Sequence, residues 1–173
     1  MGGLGSWALI LAKTIYGDKV RVYCADLTED KMAAAKEMKG DDTILLKRED
    51  TVDDMVAKFT ADGKLDACLD IVGLPKTIEA CFWSLQNEGI IVPLGIGGGK
   101  MGVATPTLIG RSISIMGSRT GSIGLLRELI ALLAEKGLYA TPPMEYVGLG
   151  DVNDVFARMK TGKVNGRAIL KFV

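Results

Sequence analysis

The chain has 173 residues, 48% of them hydrophobic, and its 21 Lys and Arg balance 21 Asp and Glu to a formal charge of zero. That length suits one domain with a real core, and the interleaved charge argues against a nucleic-acid or polybasic membrane surface. The longest apolar runs, 7–12 and 89–96, are too short to cross a bilayer, and Met1 runs into glycines without the basic start of a signal peptide.

Helices and strands alternate along the chain. Residues 4–15 read as a helix, and Gly17-Asp18 as a turn into a strand at 19–25. Thr28 is placed to cap a helix over 29–38, which Lys39-Gly40 ends. A short strand at 43–47, a helix at 51–60 and a strand at 65–72, stopped by Gly73, come next. Pro75 opens a helix to about residue 85, as proline at a first helical position allows. Asn87-Glu88-Gly89 reads as a turn before a buried strand at 90–94, and 95–102 with Pro106 as a glycine-rich loop. A strand at 112–117, a helix at 123–135, a strand at 144–147, a helix near 152–159 and a strand at 167–172 complete the chain. Strands separated by helices of this length imply crossovers, hence an α/β fold with a doubly wound parallel sheet.

The sequence Gly2-Gly3-Leu4-Gly5 opens the first helix, and Asp26 follows a β-branched run. The spacing matches the second and third glycines of G-x-G-x-x-G and the acid roughly twenty residues on in a dinucleotide-binding βαβ unit. Gly2, Gly3 and Gly5 would let the backbone approach a pyrophosphate, with the helix N-terminus supplying partial positive charge. Asp26 would accept from the ribose hydroxyls and repel a 2′-phosphate. Leu27 follows it where a phosphate reader would want arginine, which favours NAD over NADP. The lesser alternative is that Asp26 is a solvated turn acid.

Asp70-Ile71-Val72-Gly73 and Leu94-Gly95-Ile96 fall at the carboxyl ends of strands, the ligand edge of an open parallel sheet, where glycine is also ordinary turn chemistry. Arg167 opens the last strand and could meet a phosphate or simply be solvated. Asp66 and Asp70 alternate on one strand and read as structural or solvated, because no partner base is nearby. No tyrosine has a lysine four residues later, so the short-chain dehydrogenase pair is absent. Cys24, Cys68 and Cys81 form no C-x-x-C pair and read as small buried hydrophobes in a reducing cytoplasm. There is no histidine, which removes imidazole as base, nucleophile or metal ligand.

Six motifs in order resemble the medium-chain alcohol dehydrogenases, closest to the zinc-containing, NAD-dependent type. They are Gly2-Gly3-Leu4-Gly5, Asp26 to Lys31, Leu69 to Gly73, Gly89 to Gly95, Ile115 to Ser118 and Lys160 to Leu170. The resemblance implies a Rossmann-type coenzyme-binding domain over residues 1–173. Gly2, Gly3, Leu4 and Gly5 would hold the pyrophosphate, Asp26 and Lys31 the adenosine side, and Val72 and Gly73 the ribose path. Leu94, Gly95, Ile96, Ser114 and Met116 would place the nicotinamide, with Arg167 reaching the pyrophosphate. It also implies a homo-oligomer paired through the strand from Ser112 to Gly117.

The family's catalytic zinc ligands lie in an N-terminal GroES-like domain with no counterpart here, so no metal ligand is expected on this chain. The first central strand, with its leading glycine, is also lacking. Three outcomes are expected for that gap: a truncated start, closure of the two flanking strands, or a strand from another chain. The leading expectation is the NAD-binding part of an alcohol dehydrogenase, inactive alone and cytoplasmic, with no nucleic-acid or membrane partner. The alternatives are a non-catalytic nucleotide-binding or oligomerisation remnant and the zinc-free quinone or enoyl reductase branch. The helices at 123–133 and 152–159 are expected to leave an apolar patch exposed.

Overall fold

The computed structural model describes residues 1–98, 100–138 and 140–172. Gly99, within the expected glycine-rich loop, lies outside the described residues. The helices are α1 (Gly3–Tyr16), α2 (Glu29–Glu37), α3 (Val52–Phe59), α4 (Pro75–Ser84), α5 (Thr105–Gly110), α6 (Ile123–Lys136) and α7 (Val152–Lys160). The strands are β1 (Tyr23–Asp26), β2 (Asp42–Leu45), β3 (Leu65–Asp70), β4 (Leu85–Pro93), β5 (Ser114–Ile115), β6 (Met144–Val147) and β7 (Arg167–Leu170). The chain divides into two compact units, one of Met1–Leu46 with Leu126–Val173 and one of Lys47–Leu125.

Every ladder is parallel, as the alternation of helices and strands requires. In the first unit β1 pairs with β2 and β6 with β7, and in the second the order is β3-β4-β5. Among the described residues β1 has a ladder only with β2, and β3 only with β4, so each ends its own sheet. Parallel strands and helices in both units make this an α/β chain, the class expected from the sequence. Ala67 and Leu69 of β3 remain exposed, Leu69 to 54%.

The first unit's core packs Leu9 and Ile10 of α1 against Cys24 of β1 and Met32, Ala34, Ala35 and Met38 of α2 or its end. Ile10 is fully buried, which contributes about 1.5–3 kcal/mol. The second unit's core joins Cys68 of β3, Cys81 and Phe82 of α4, Leu85 and Ile91 of β4, and Ile113. All three cysteines are free and buried. Burial pushes the Cys24 thiol up to about 11. A hydrogen bond to Cys68, and then burial, push the Cys81 thiol upward as well. Cys24 and Cys81 therefore stay protonated thiols at neutral pH, in keeping with a packing role.

Several element boundaries differ from expectation. The first strand begins at Tyr23, not residue 19, because Gly17–Lys19 form a 3-10 turn. The segment before β1 is instead held by the Asp41 carboxylate, which accepts from the Val22 N–H at 2.6 Å. Thr28 sits at the N-cap of α2 but its side chain caps nothing. The left-handed residue ending α2 is Lys39 at φ 59°, while Gly40 donates to the Ala35 carbonyl. Asn87-Glu88-Gly89 is not a turn before the strand: β4 runs from Leu85 through it, with a register shift against β3 and Glu88 at φ 64°. Pro106, expected in a loop, lies in the first turn of α5. The strand expected at 112–117 shortens to Ser114–Ile115, beginning after Ser112 at φ 51°.

Candidate functional site

In the first unit α1 begins with Gly2 as its N-cap, no side-chain cap and no acid in its first turn. Its leading amides are thus free of the carboxylate or hydroxyl that usually satisfies them, which leaves the positive end of the helix open to an anion. Gly2 bridges Gly166 in parallel fashion, which brings the start of β7 beside this turn. The Arg167 side chain lies so close over Gly3 that a Cβ there would collide with its guanidinium and Cδ. Gly166 at φ 71° makes this approach possible, because a side chain at 166 would strike the Pro143 carbonyl. Ser6, buried in the same first helix, has a hydroxyl without a hydrogen-bond partner among the described residues. Leu4 and Gly5 complete the turn, with Leu4 exposed.

Asp26 ends β1. Its Oδ1 accepts from the Leu27 N–H at 2.7 Å and faces the Lys31 ammonium at 3.5 Å. The Met1 amino group lies 3.5 Å from Oδ2. The carboxylate thus stands at the carboxyl end of a parallel strand with a cation beside it, and its side chain is 19% exposed. Gly2, Gly3 and Arg167 are brought to one place, and Asp26 and Lys31 to another, both within this unit.

In the second unit the segments after β3 and β4 cross in backbone contact. Gly73 is at φ 75°, and a Cβ on it would strike the Gly95 carbonyl and come within 2.8 Å of the Gly97 nitrogen. A Cβ on Gly95 would strike Val72 and Gly73 in turn. The structure brings Val72, Gly73 and Gly95 together. Leu94 and Gly95 both donate to the Asp70 carbonyl, at 2.7 and 3.0 Å, and Ile96 beyond them is fully exposed. Ser114 and Met116 sit further back along β4. Ser114 pairs with Ile90, and the Met116 N–H donates to the Ile91 carbonyl at 2.9 Å.

Asp70, read from the sequence as structural or solvated, is structural. It is only 3% exposed, and its carboxylate accepts from the Val72 and Gly73 N–H groups, each at 3.1 Å. The Thr77 hydroxyl lies 3.1 Å from its Oδ2 and 3.0 Å from the Leu74 carbonyl. An Asp two residues before a Val-Gly turn is the available signal, since aspartate readily bonds the amides that follow it. The alternation with Asp66 pointed elsewhere. Asp66 only pairs with the Gln86 amide.

A separate cleft of about 630 Å³ opens in this unit among Lys64, Trp83, Asn87 and Arg111, at the amino-terminal end of β3 and β4. Lys64 and Arg111 there donate to the Trp83 and Leu85 carbonyls, capping the end of α4. It lies at the opposite end of these strands from Gly73 and Gly95. Among the described residues no group of three or more His, Cys, Asp or Glu could hold a metal ion.

Comparison with known proteins agrees with this geometry. The pattern of the zinc-binding dehydrogenases matches residues 3–135. An alcohol dehydrogenase of Geobacillus stearothermophilus is 28% identical over 171 residues, covering 99% of this chain and 48% of its own length. The alcohol dehydrogenase of the hyperthermophilic archaeon Aeropyrum pernix superposes with a TM-score of 0.83 at 28% identity, over 98% of this chain and 47% of that one. The acetophenone reductase of Geotrichum candidum, solved in complex with NAD, gives 0.79 at 25% identity, over 99% and 46%. The chain therefore spans about half the length of these relatives. A glycine turn under an arginine, an acid closing the next strand and a family pattern over most of the sequence converge: the chain belongs to the zinc-binding dehydrogenase family.

Proposed function

We propose that this chain is the coenzyme-binding domain of an NAD-dependent alcohol dehydrogenase. The observation that carries the reading is the uncapped first turn of α1 with the Arg167 side chain laid over Gly3. A helix N-terminus without a side-chain cap and a guanidinium beside it are donors suited to a pyrophosphate. Asp26, backed by Lys31, would take the adenosine ribose and disfavour a 2′-phosphate. Val72, Gly73, Leu94, Gly95 and Ile96 offer backbone groups at the carboxyl ends of β3 and β4, and Ser114 and Met116 lie nearer the strand middle. Val72 and Gly73 would line the ribose path, and the others would place the nicotinamide. The NAD complex of the Geotrichum candidum reductase supports this coenzyme.

When bound, the nicotinamide supplies the hydride acceptor for alcohol oxidation. This chain's residues bind and orient it. Zinc does not fit this chain, whose described residues lack a metal-ligand cluster and whose sequence lacks histidine, so no step is assigned to a metal here. Little or no alcohol oxidation is therefore expected of the chain alone. We also assign it to a homo-oligomer built through the outer edge of β5 and to the cytoplasm. No helix among the described residues is long and apolar enough to cross a membrane.

The test is a titration of the chain with NAD and NADH, followed by protein fluorescence, beside an Asp26→Ala variant. Saturable binding that weakens roughly tenfold or more in the variant is expected, the scale of losing hydrogen bonds to a charged group. A folded chain that binds neither form would end the coenzyme reading.

A further inference from the structure

We propose that Asp70 is a positioning residue for the nicotinamide side of the coenzyme site, a role that rests on the coenzyme reading above. Asp70 reaches both segments that meet at the glycine crossing. Its carboxylate holds the Val72 and Gly73 amides, and its own carbonyl holds the Leu94 and Gly95 amides. One residue thereby sets the relative register of two backbone segments that approach too closely to admit a Cβ at Gly73 or Gly95. The amides and carbonyls that continue from this crossing, at residues 72–73 and 94–97, take their direction from it.

The chemistry of the side chain matters. A buried carboxylate presents two acceptor oxygens, and here one accepts from each amide, which makes both bonds charge-assisted. An asparagine of the same shape has one acceptor oxygen and turns an NH2 group toward the second amide. Asp70→Asn thus keeps the volume and breaks one arm of the crossing. Removing the Thr77 hydroxyl is milder, because the carboxylate keeps both amides and loses only a supporting donor. Neither side chain touches coenzyme in this account. Both act through Val72, Gly73 and Gly95.

A merely structural Asp70 and a positioning Asp70 differ in one measurable ratio. ADP carries the adenosine and the pyrophosphate but neither the second ribose nor the nicotinamide, whereas NADH carries all of them. Calorimetric titration of the wild-type chain, Asp70→Asn and Thr77→Val with both ligands separates the cases. The expected result is NADH binding weakened about tenfold in Asp70→Asn with ADP changed by less than about twofold, and a smaller shift of the same sign in Thr77→Val. An unchanged NADH to ADP ratio in the folded variants overturns the proposal, including the case in which both affinities fall together. If Asp70→Asn does not fold, the Thr77→Val ratio decides. A wild-type chain that binds neither ligand overturns the coenzyme reading itself, and this proposal with it.

Discussion

Gly95 shows how a single hydrogen atom can specify a local fold. Its Cβ position is occupied by the Val72 carbonyl carbon and the Gly73 nitrogen, and backbone atoms at the ends of two core strands cannot move aside as a side-chain tip would. Gly95→Ala is expected to lower the unfolding free energy by about 1–3 kcal/mol, the usual cost of forcing a methyl group into a packed site. Gly102→Ala is the control, since nothing lies within 4 Å of a Cβ there, and should stay within about 0.5 kcal/mol. Urea unfolding of both variants makes the comparison, and equal stability for Gly95→Ala and wild type would refute the crossing. At this scale the glycine turn, Asp26 and the glycines after β3 and β4 were legible, because spacing along one chain announces them. The contacts of Asp70 were not. They depend on the Val72 and Gly73 amides, Thr77 and the start of the next segment converging on it, and convergence in space has no period in sequence.

Among the elements, α3 carries the most complete local signal. Thr51 accepts from the Asp54 N–H at 3.1 Å, and the Asp54 carboxylate accepts from the Thr51 N–H at 2.9 Å and its hydroxyl at 2.7 Å. Thr51→Ala should cost about 1 kcal/mol in urea unfolding. The Thr51 backbone N–H, and then its hydroxyl, hold the Asp54 carboxyl below the usual aspartate range. The Lys58 ammonium, and then the Lys47 backbone N–H, do the same for Asp50. A carboxyl whose folded value is depressed adds stability that is present above its unfolded value, about 3.9, and lost as pH falls through the folded value. Stability should therefore fall as pH drops below about 4, and less steeply in Thr51→Ala. An acid limb identical in the two proteins would refute the capping account. Thr28 looked equivalent in sequence yet caps nothing, since a cap also needs the incoming chain to aim the hydroxyl at the first turn. The helix at 105–110 was hidden for the opposite reason. It is short, carries Pro106 and follows a glycine-rich stretch, so composition spoke for loop.

At the scale of the whole chain, large apolar side chains are exposed on many elements, α6 and α7 among them. α6 buries none of its residues and leaves Ile123, Leu125, Leu126 and Ile130 exposed, and α7, which buries Val155, leaves Phe156 and Met159 exposed. This is the apolar exposure expected for the two helices, and single exposed leucines would not need explaining, whereas runs on two helices do. The sheet edges raise a related question, because an edge strand is a row of unpaired amides and carbonyls. In the second unit the outer edge of β5 is such a row, with Ser114 and Ile115 both exposed. The Met116 N–H is spent on β4, so alternation along the strand turns the Ile115 N–H outward. If a second copy pairs with this edge, Ile115→Pro removes an outward donor and leaves the ladder to β4 in place. Sedimentation of the wild-type chain should then show a dimer or larger species, and Ile115→Pro should shift it to monomer at the same concentration with unchanged circular dichroism. A wild-type chain that sediments as a monomer would take the self-pairing edge out of the account. A variant that keeps the assembly would move the interface to another surface, with the exposed faces of α6 and α7 next in line.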